Sequence, residues 1–477
     1  MTRLTTERAV LPGDLRHAVG IGQQTDGRWR KLTLNIEIMI TDNNKKLAQW
    51  AMDYALKNGC RAAKLVLYSN SNASFELRDA KMDKLQQASE SGLSISLYVD
   101  GKYGSYSTNR LDKKELETFI KNGIESTRYL AVDEARVLPD ASRYYKGGKP
   151  DLQLFDKQFN IINPDDKVAV ARAAAEEVLG KDNRIISVGT SYSDGENASY
   201  RLTSNGFEGE SGSTWFSVSA DVAMRGEGEM RPSSYWYESA LFYDKLVKSG
   251  VGVKALERVL QKLGQRKVAS GKYTMVVDPM NSSNLLSPVL SALYGSALQQ
   301  KNSFLLDKLN TKIGAELLNL MDEPHLIGAR GARYFDSEGV ATEPRSVFEN
   351  GVLKTYFIDT YNSKKMGVEP TVNSPSLLVL KPGSKDLNGL VADVQKGILV
   401  TGFNGGNCNS SSGDFSYGIE GFLIENGKLT QPISEMNVTG NMITLWASLA
   451  AVGNDARMSS SWRIPSLVFE GVDFSGL

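Results

Sequence analysis

The chain has 477 residues, enough for two or three domains. Its 55 Lys and Arg balance its 55 Asp and Glu, so no net basic charge favours nucleic acid or an anionic membrane. The two cysteines, Cys60 and Cys408, give no disulfide framework, and the two histidines, His17 and His325, exclude any mechanism that needs a histidine pair close in sequence.

Residues 1–38 show no periodicity and no apolar signal core, and they read as a disordered leader with Met39 as a candidate initiator. No apolar run approaches the roughly 20 residues that cross a bilayer. Free thiols fit a reducing compartment, so a cytoplasmic location is expected. A helix is predicted from Lys45, with Leu47, Trp50, Ala51, Tyr54 and Ala55 on one face and Gly59 as its stop. Short strands follow at Ala63–Tyr68, Ser74–Arg78, Lys84-Leu85 and Leu93–Val99, the last turning through Asp100-Gly101 into Tyr103–Thr108. Asp112 and Glu115 suggest a capping box before a helix bearing Leu116, Phe119, Ile120 and Ile124. After a linker at 139–164, a second helix presents Val168, Ala171, Ala175 and Val178.

A meander of strands is expected at Ile185–Val188, Ala198–Leu202 and Trp215–Ala223, with turns at Asp194-Gly195 and Asn205-Gly206. Tyr235, Trp236 and Tyr237 read as sheet-edge packing, because a base-stacking platform wants dense basic neighbours. Helices are predicted at Val253–Leu263, after the N-cap pair Ser287-Pro288, and at Leu305–Leu318, with a strand at Tyr273–Val277. Two Glu-Asn-Gly turns, at 349–351 and 425–427, mark hairpins. The pattern is α+β, with antiparallel sheets and flanking helices. It divides into domains at 39–240 and 250–477.

No catalytic constellation assembles from the residues alone. His325, in Asp322-Glu323-Pro324-His325, and Cys408 could each offer one zinc ligand, but a hydrolytic site needs three and a carboxylate base. No G-x-S-x-G elbow exists, a serine triad would have to recruit one of two isolated histidines, and a Cys408–His325 pair is a conceivable nucleophile. The glycine- and serine-rich run Gly402–Gly413 lacks the lysine and helix of a phosphate loop; its open backbone could instead admit an extended peptide at a sheet edge.

Several stretches in fixed order carry a family resemblance. They are Gly271-Lys272-Tyr273-Thr274-Met275-Val276-Val277-Asp278-Pro279, Gly295–Leu298, Lys301–Leu305, Glu323–Leu326, Phe335–Val340 with Thr342-Glu343, Gly413-Asp414-Phe415-Ser416, Ile424–Gly427, Gly440-Asn441 and Gly453-Asn454-Asp455, with Asp100–Ser105 in the first domain. The chain resembles the TldD/PmbA family, also called the modulator-of-DNA-gyrase family, and within it the PmbA or TldE branch. The resemblance implies a β-rich, barrel-like C-terminal domain. It also implies a two-subunit zinc protease acting on unfolded or precursor peptides, in which the TldD branch holds the metal on an HExxxH helix and a later cysteine. The corresponding helix here, around Leu286 to Gly295, carries Leu286, Ser287 and Ser291 in place of ligands, and Met458 to Ser461 has no cysteine.

The resemblance therefore implies no metal or cofactor in this chain, zinc in the partner only, and a TldD-like catalytic subunit as partner, with no nucleic acid or membrane. Gly413, Asp414, Phe415, Ser416, Gly440 and Asn441 become framework near the peptide channel or partner surface. The alternative is a stand-alone homodimer that binds peptides or a regulator without cleaving them.

Overall fold

A computed structural model describes residues 40–477; the expected leader and Met39 lie outside the described residues. The first half opens with α1 (Asp42–Lys57), β1 (Ala62–Arg78), β2 (Lys81–Val99), β3 (Lys102–Thr108) and α2 (Lys113–Arg128). It continues with α3 (Pro164–Glu176), β4 (Ile185–Thr203), β5 (Glu208–Met224), β6 (Ser233–Ala240) and α4 (Val251–Gln261). The strands form one antiparallel sheet in the order β3-β2-β1-β4-β5-β6.

The strands are longer than their sequence patterns suggest. Ala63–Tyr68 and Ser74–Arg78 are one strand, and so are Lys84-Leu85 and Leu93–Val99. Two helical layers cover one face. α1 and α2 bury Ala51, Ala55, Ile120 and Ile124 against Leu65, Leu93, Ile95 and Leu97. Helices α3 and α4 bury Ala171, Ala175, Val178 and Val259 against Val188, Phe216 and Val218. The expected boundary puts residues 251–261 in the second domain, but α4 packs into this first core. Asp112 caps α2 through the Lys114 and Glu115 amides, whereas the Glu115 carboxylate turns to Arg110 at 3.5 Å instead of closing a box.

Asp194-Gly195 is not a turn. It sits mid-strand in β4, where Asp194 is fully buried and accepts from the Lys167 ammonium at 2.5 Å and from the Tyr192 hydroxyl at 2.9 Å. A lysine from α3 thus supplies the partner that makes an aspartate tolerable inside a sheet. Glu196, the next residue on that face, is also buried, and its Oε1 has no partner. Burial pushes its carboxyl above the ordinary value, and nearby Asp194 adds to the push. A carboxyl raised in the folded state contributes stability while protonated and loses it as pH rises through the folded value. Glu196→Gln, neutral at every pH, is therefore expected to gain stability relative to the unmodified chain as pH rises from about 5 to about 8. Urea unfolding across that range checks it; a difference that stays flat with pH refutes it.

The second half contains β7 (Gly271–Val277), α5 (Ser282–Ala292), α6 (Gly295–Gln299), β8 (Leu320–Asp322), β9 (Arg345–Glu349), β10 (Val352–Leu353), α7 (Thr360–Met366) and β11 (Leu378–Leu380). It ends with α8 (Leu387–Ala392), β12 (Lys396–Cys408), β13 (Asp414–Glu425), β14 (Lys428–Asn441), α9 (Met442–Ala447), β15 (Leu449–Val452), β16 (Trp462–Arg463) and β17 (Leu467–Ser475). Strands β14-β13-β12-β7-β17 run side by side, and β17 pairs back onto β14 through Asn437↔Ser475 and Val438↔Phe474. The sheet thus closes into a five-stranded barrel, which removes its edges. The strands β10-β9-β8-β11-β16 form a smaller sheet.

Both Glu-Asn-Gly turns form as predicted. Asn350 and Gly351, like Asn426 and Gly427, all have the positive φ of a two-residue hairpin. Residues 305–318 do not form the expected helix. Asp307 and Asn310 adopt positive φ, and the amides of Asn310 and Ile313 bond outward to the carbonyls of Leu353 and Gly351. The apolar residues Leu305, Ile313 and Leu318 are buried all the same, by a folded-back loop.

The two halves meet across charged side chains. Lys262 bonds Glu420 at 2.7 Å, and Arg457 approaches Glu238 at 3.6 Å and donates to the Tyr237 carbonyl at 2.6 Å. Trp236 collects three cations from distant positions, Lys254, Arg258 and Arg457, at 4.7 to 5.6 Å from its ring centroid. The aromatic run on β6 is therefore part of the joint between the halves.

Candidate functional site

The N-cap of α5 is Asn281, six residues before the proposed N-cap at Ser287. The Ser282 amide bonds the Asp278 carbonyl, and Asp278 Oδ1 accepts from the Asn281 amide and Nδ2, so the turn after β7 launches the helix. Pro288 consequently lies inside the helix. It withholds the N–H that would close onto Asn284. Leu285, Leu286, Val289 and Leu290 face the core, and Leu286 is 1% exposed. Ser287 and Ser291 are exposed one turn apart, and the Ser291 hydroxyl donates to the Ser287 carbonyl at 2.9 Å.

One contact ties this helix to the chain just after the segment where a later ligand is expected, and another ties it to α9. Ser282 Oγ donates to the Ile464 carbonyl at 3.0 Å, and Trp446 Nε1 on α9 donates to the Leu285 carbonyl at 3.3 Å. Ile464 follows the segment Met458 to Ser461 after only two residues. The start of α5 is thereby held next to the chain that follows Met458 to Ser461. The donors on offer are serine hydroxyls and a methionine thioether, without imidazole, thiolate or carboxylate. Among the described residues no group of three or more His, Cys, Asp or Glu side chains could hold a metal ion. These residues do not fit a zinc site.

The second set of predicted residues also converges. Register places Asp414 opposite Asn441 and Phe415 opposite Gly440. Asn441 Nδ2 donates to Asp414 Oδ1 at 2.9 Å and to the Ser412 carbonyl at 2.8 Å, while its Oδ1 caps α9 through the Ile443 amide at 3.0 Å. Ser412 Oγ donates to Asp414 Oδ2 at 2.7 Å. Asn441 and Ser412 together hold the Asp414 carboxyl below its ordinary value. Gly413 has φ of +80°, and a Cβ there would come within 3.0 Å of the Phe304 ring. Phe415 is buried and stacks on Tyr417, whereas Ser416 faces outward.

This cluster is tied to α5 through residues 302–304. Ser303 Oγ donates to the Ala292 carbonyl at 2.6 Å, and the Phe304 amide bonds the Ser410 carbonyl at 2.9 Å. Asn302, which the sequence did not single out, accepts from both Ser410 and Ser411 at 2.7 Å. Its inclusion in the Lys301–Leu305 stretch was the only hint. Asn441→Ala should remove the α9 cap and loosen the 409–413 loop, costing about 1 kcal/mol. Chemical denaturation reads the cost, and a neutral result would show the cap to be dispensable.

The glycine-rich run is shorter as a loop than expected, because β12 extends to Cys408 and the loop is only 409–413. One of its glycines, Gly406, is required by close strand contact. A Cβ at Gly406 would lie 2.1 Å from the Ser416 carbonyl oxygen. No helix follows, so no phosphate loop forms, and β13 occupies the strand edge considered for a peptide.

Cys408 and His325 do not form a pair. Burial pushes the Cys408 thiol up, Asp414 adds to the push, and among the described residues its one hydrogen bond is toward the Asn409 carbonyl. A protonated thiol is a poor nucleophile. His325 Nε2 lies 3.2 Å from Thr342 Oγ1, whose own proton goes to the Arg333 carbonyl. Nε2 must therefore carry hydrogen. Burial and nearby Lys149 lower the His325 pKa, which favours the neutral ring.

Comparison with known proteins agrees with this architecture. Residues 63–127, 157–263 and 270–476 match the models of PmbA/TldA metallopeptidase domain 1, central domain and C-terminal domain. The chain is 26% identical over 437 residues to a metalloprotease PmbA homolog of Haemophilus influenzae, covering 91% of this chain and 96% of that one. A crystal structure from Bacteroides thetaiotaomicron, described as a modulator of DNA gyrase, is 75% identical with a TM-score of 0.91, covering 92% of this chain and all of that one. TldE from Thermococcus kodakarensis shares the fold at a TM-score of 0.79 and 20% identity, covering 90% of this chain and all of that one. The chain belongs to the PmbA/TldD metallopeptidase family.

Proposed function

We propose that this chain is the non-catalytic, PmbA/TldE-type subunit of a TldD-type zinc metalloprotease that processes unfolded or precursor peptides. The observation that carries this reading is the donor set of α5. Leucine turned into the core, serines turned to solvent and a proline between them offer neither zinc ligands nor a general base. Catalytic zinc then belongs to the partner. This chain contributes the opposite wall of the peptide path, with the Asp414–Asn441 cluster as a rigid lip connected to α5. No described helix is long and apolar enough to cross a membrane.

Co-expression with a TldD-like subunit tests the reading. The expected result is a stable complex carrying zinc in one of its two chain types, peptidase activity in the complex, and neither zinc at stoichiometry nor peptidase activity in this chain alone. Stoichiometric zinc in the isolated chain, or a partner indifferent to its presence, overturns it.

A further inference from the structure

Strand β2 changes character halfway along. From Leu93 to Val99 it lies between β1 and β3, and alternate side chains are buried. From Lys81 to Ser91 it has β1 alone, and every residue is exposed on both faces. Among the described residues, none of this stretch has a backbone partner on its outer side. Long, straight, unpaired edges invite another strand, and proteins usually blunt them with proline, a bulge or short length. Lys81 to Ser91 contains neither proline nor glycine, and its one bulge, at Asp83, lies near the far end and leaves Lys84 to Ser91 in unbroken register with β1. Leu85, 38% exposed, lies beside buried Phe75 at the rim of the first core.

We propose that this edge pairs antiparallel with the same edge of a second copy of the chain, about a two-fold axis at Gln87. Outward backbone groups recur at every second residue, so opposed residues in such a pair have numbers with an even sum. The axis at Gln87 joins Lys84–Glu90 of both copies, clear of the bulge at Asp83. It sets Lys84 opposite Glu90, and symmetry repeats that pair. Leu85 then faces Ser89, and Gln86 faces Ala88. An axis at Gln86 instead opposes Lys84 with Ala88 and Glu90 with Met82. Of the two-fold registers that join five residues or more, only the one at Gln87 puts opposite charges face to face. The existing partners of these side chains are at the surface and can be shared: Glu76 lies 3.8 Å from Lys84, and the Tyr68 hydroxyl lies 3.2 Å from Glu90.

The inference is independent of the proposed function, because β2 belongs to the first sheet and α5 to the second half. Sedimentation velocity on the full chain alone tests it over a micromolar concentration series. A concentration-dependent dimer is expected. Lys84→Glu, which opposes two acidic pairs, should raise its Kd about tenfold or more, and Glu90→Lys should do the same. The double variant Lys84→Glu with Glu90→Lys should return the Kd to within about threefold. Unchanged circular dichroism melts confirm that each variant folds. A monomer at every concentration, or a dimer insensitive to Lys84→Glu, overturns the proposal and leaves pairing with a TldD-like subunit unaffected.

Discussion

Asp278→Ala is expected to cost about 3–5 kcal/mol of folding stability. Asp278 directly follows β7, is 3% exposed and faces Arg258 of α4 at 3.5 Å. Arg258 is mostly buried between this carboxylate and the Trp236 ring, and its Nε has no partner. Removing the carboxylate leaves a guanidinium without compensation, which costs more than the pair contributes. It also removes the acceptor that holds Asn281 at the start of α5. Equilibrium unfolding in urea measures the loss. A second substitution identifies its cause: adding Arg258→Met should recover a substantial part of the loss. If the double variant is as damaged as Asp278→Ala, the stranded charge is not the cause.

Gly421→Ala should be comparably damaging for a steric reason. Gly421 lies in the middle of β13, within the barrel, and a Cβ built there would be 1.8 Å from the Leu399 carbonyl oxygen. Its φ is not positive, so the objection is contact and not conformation. The obstructing atom is backbone in the neighbouring strand, and it cannot rotate aside. β12 and β13 would have to separate where bulges already interrupt their register at Val400/Gly402 and Ile419/Gly421. A cost above about 3 kcal/mol is expected. Gly189→Ala in β4, where nothing lies within 4 Å, should stay within about 0.5 kcal/mol and serves as the control. Similar melting curves for the two variants would refute the steric account.

Local chemistry was legible from sequence where it is self-sufficient. Asp100-Gly101 and both Glu-Asn-Gly turns need only their own backbone preferences, and each forms as read. Asn441 caps α9 for the same reason. The readings failed where a distant residue decides. Asp194-Gly195 looks like a turn until Lys167 arrives from α3. Residues 305–318 look helical until the 351–353 hairpin claims their amides. Ser287-Pro288 looks like a helix start, yet Asp278 starts the helix earlier and leaves the proline inside. The α5 positions acquired meaning only through the family resemblance, because Leu286, Ser287 and Ser291 are unremarkable as residue types. The open edge of β2 was invisible, since the sequence suggested two short strands with a gap between them.

Barrel closure also has a consequence during synthesis. β7 is one of the first elements of the second half to leave the ribosome, yet its antiparallel neighbour β17 is among the last. Until Leu467–Ser475 emerges, β7 and β14 each lack a partner that the finished barrel supplies. The first half has no such wait, because β1 to β6 and their covering helices are complete by Gln261. Folding on the ribosome should therefore be vectorial, with the N-terminal sheet settled while the nascent barrel remains open and dependent on chaperones.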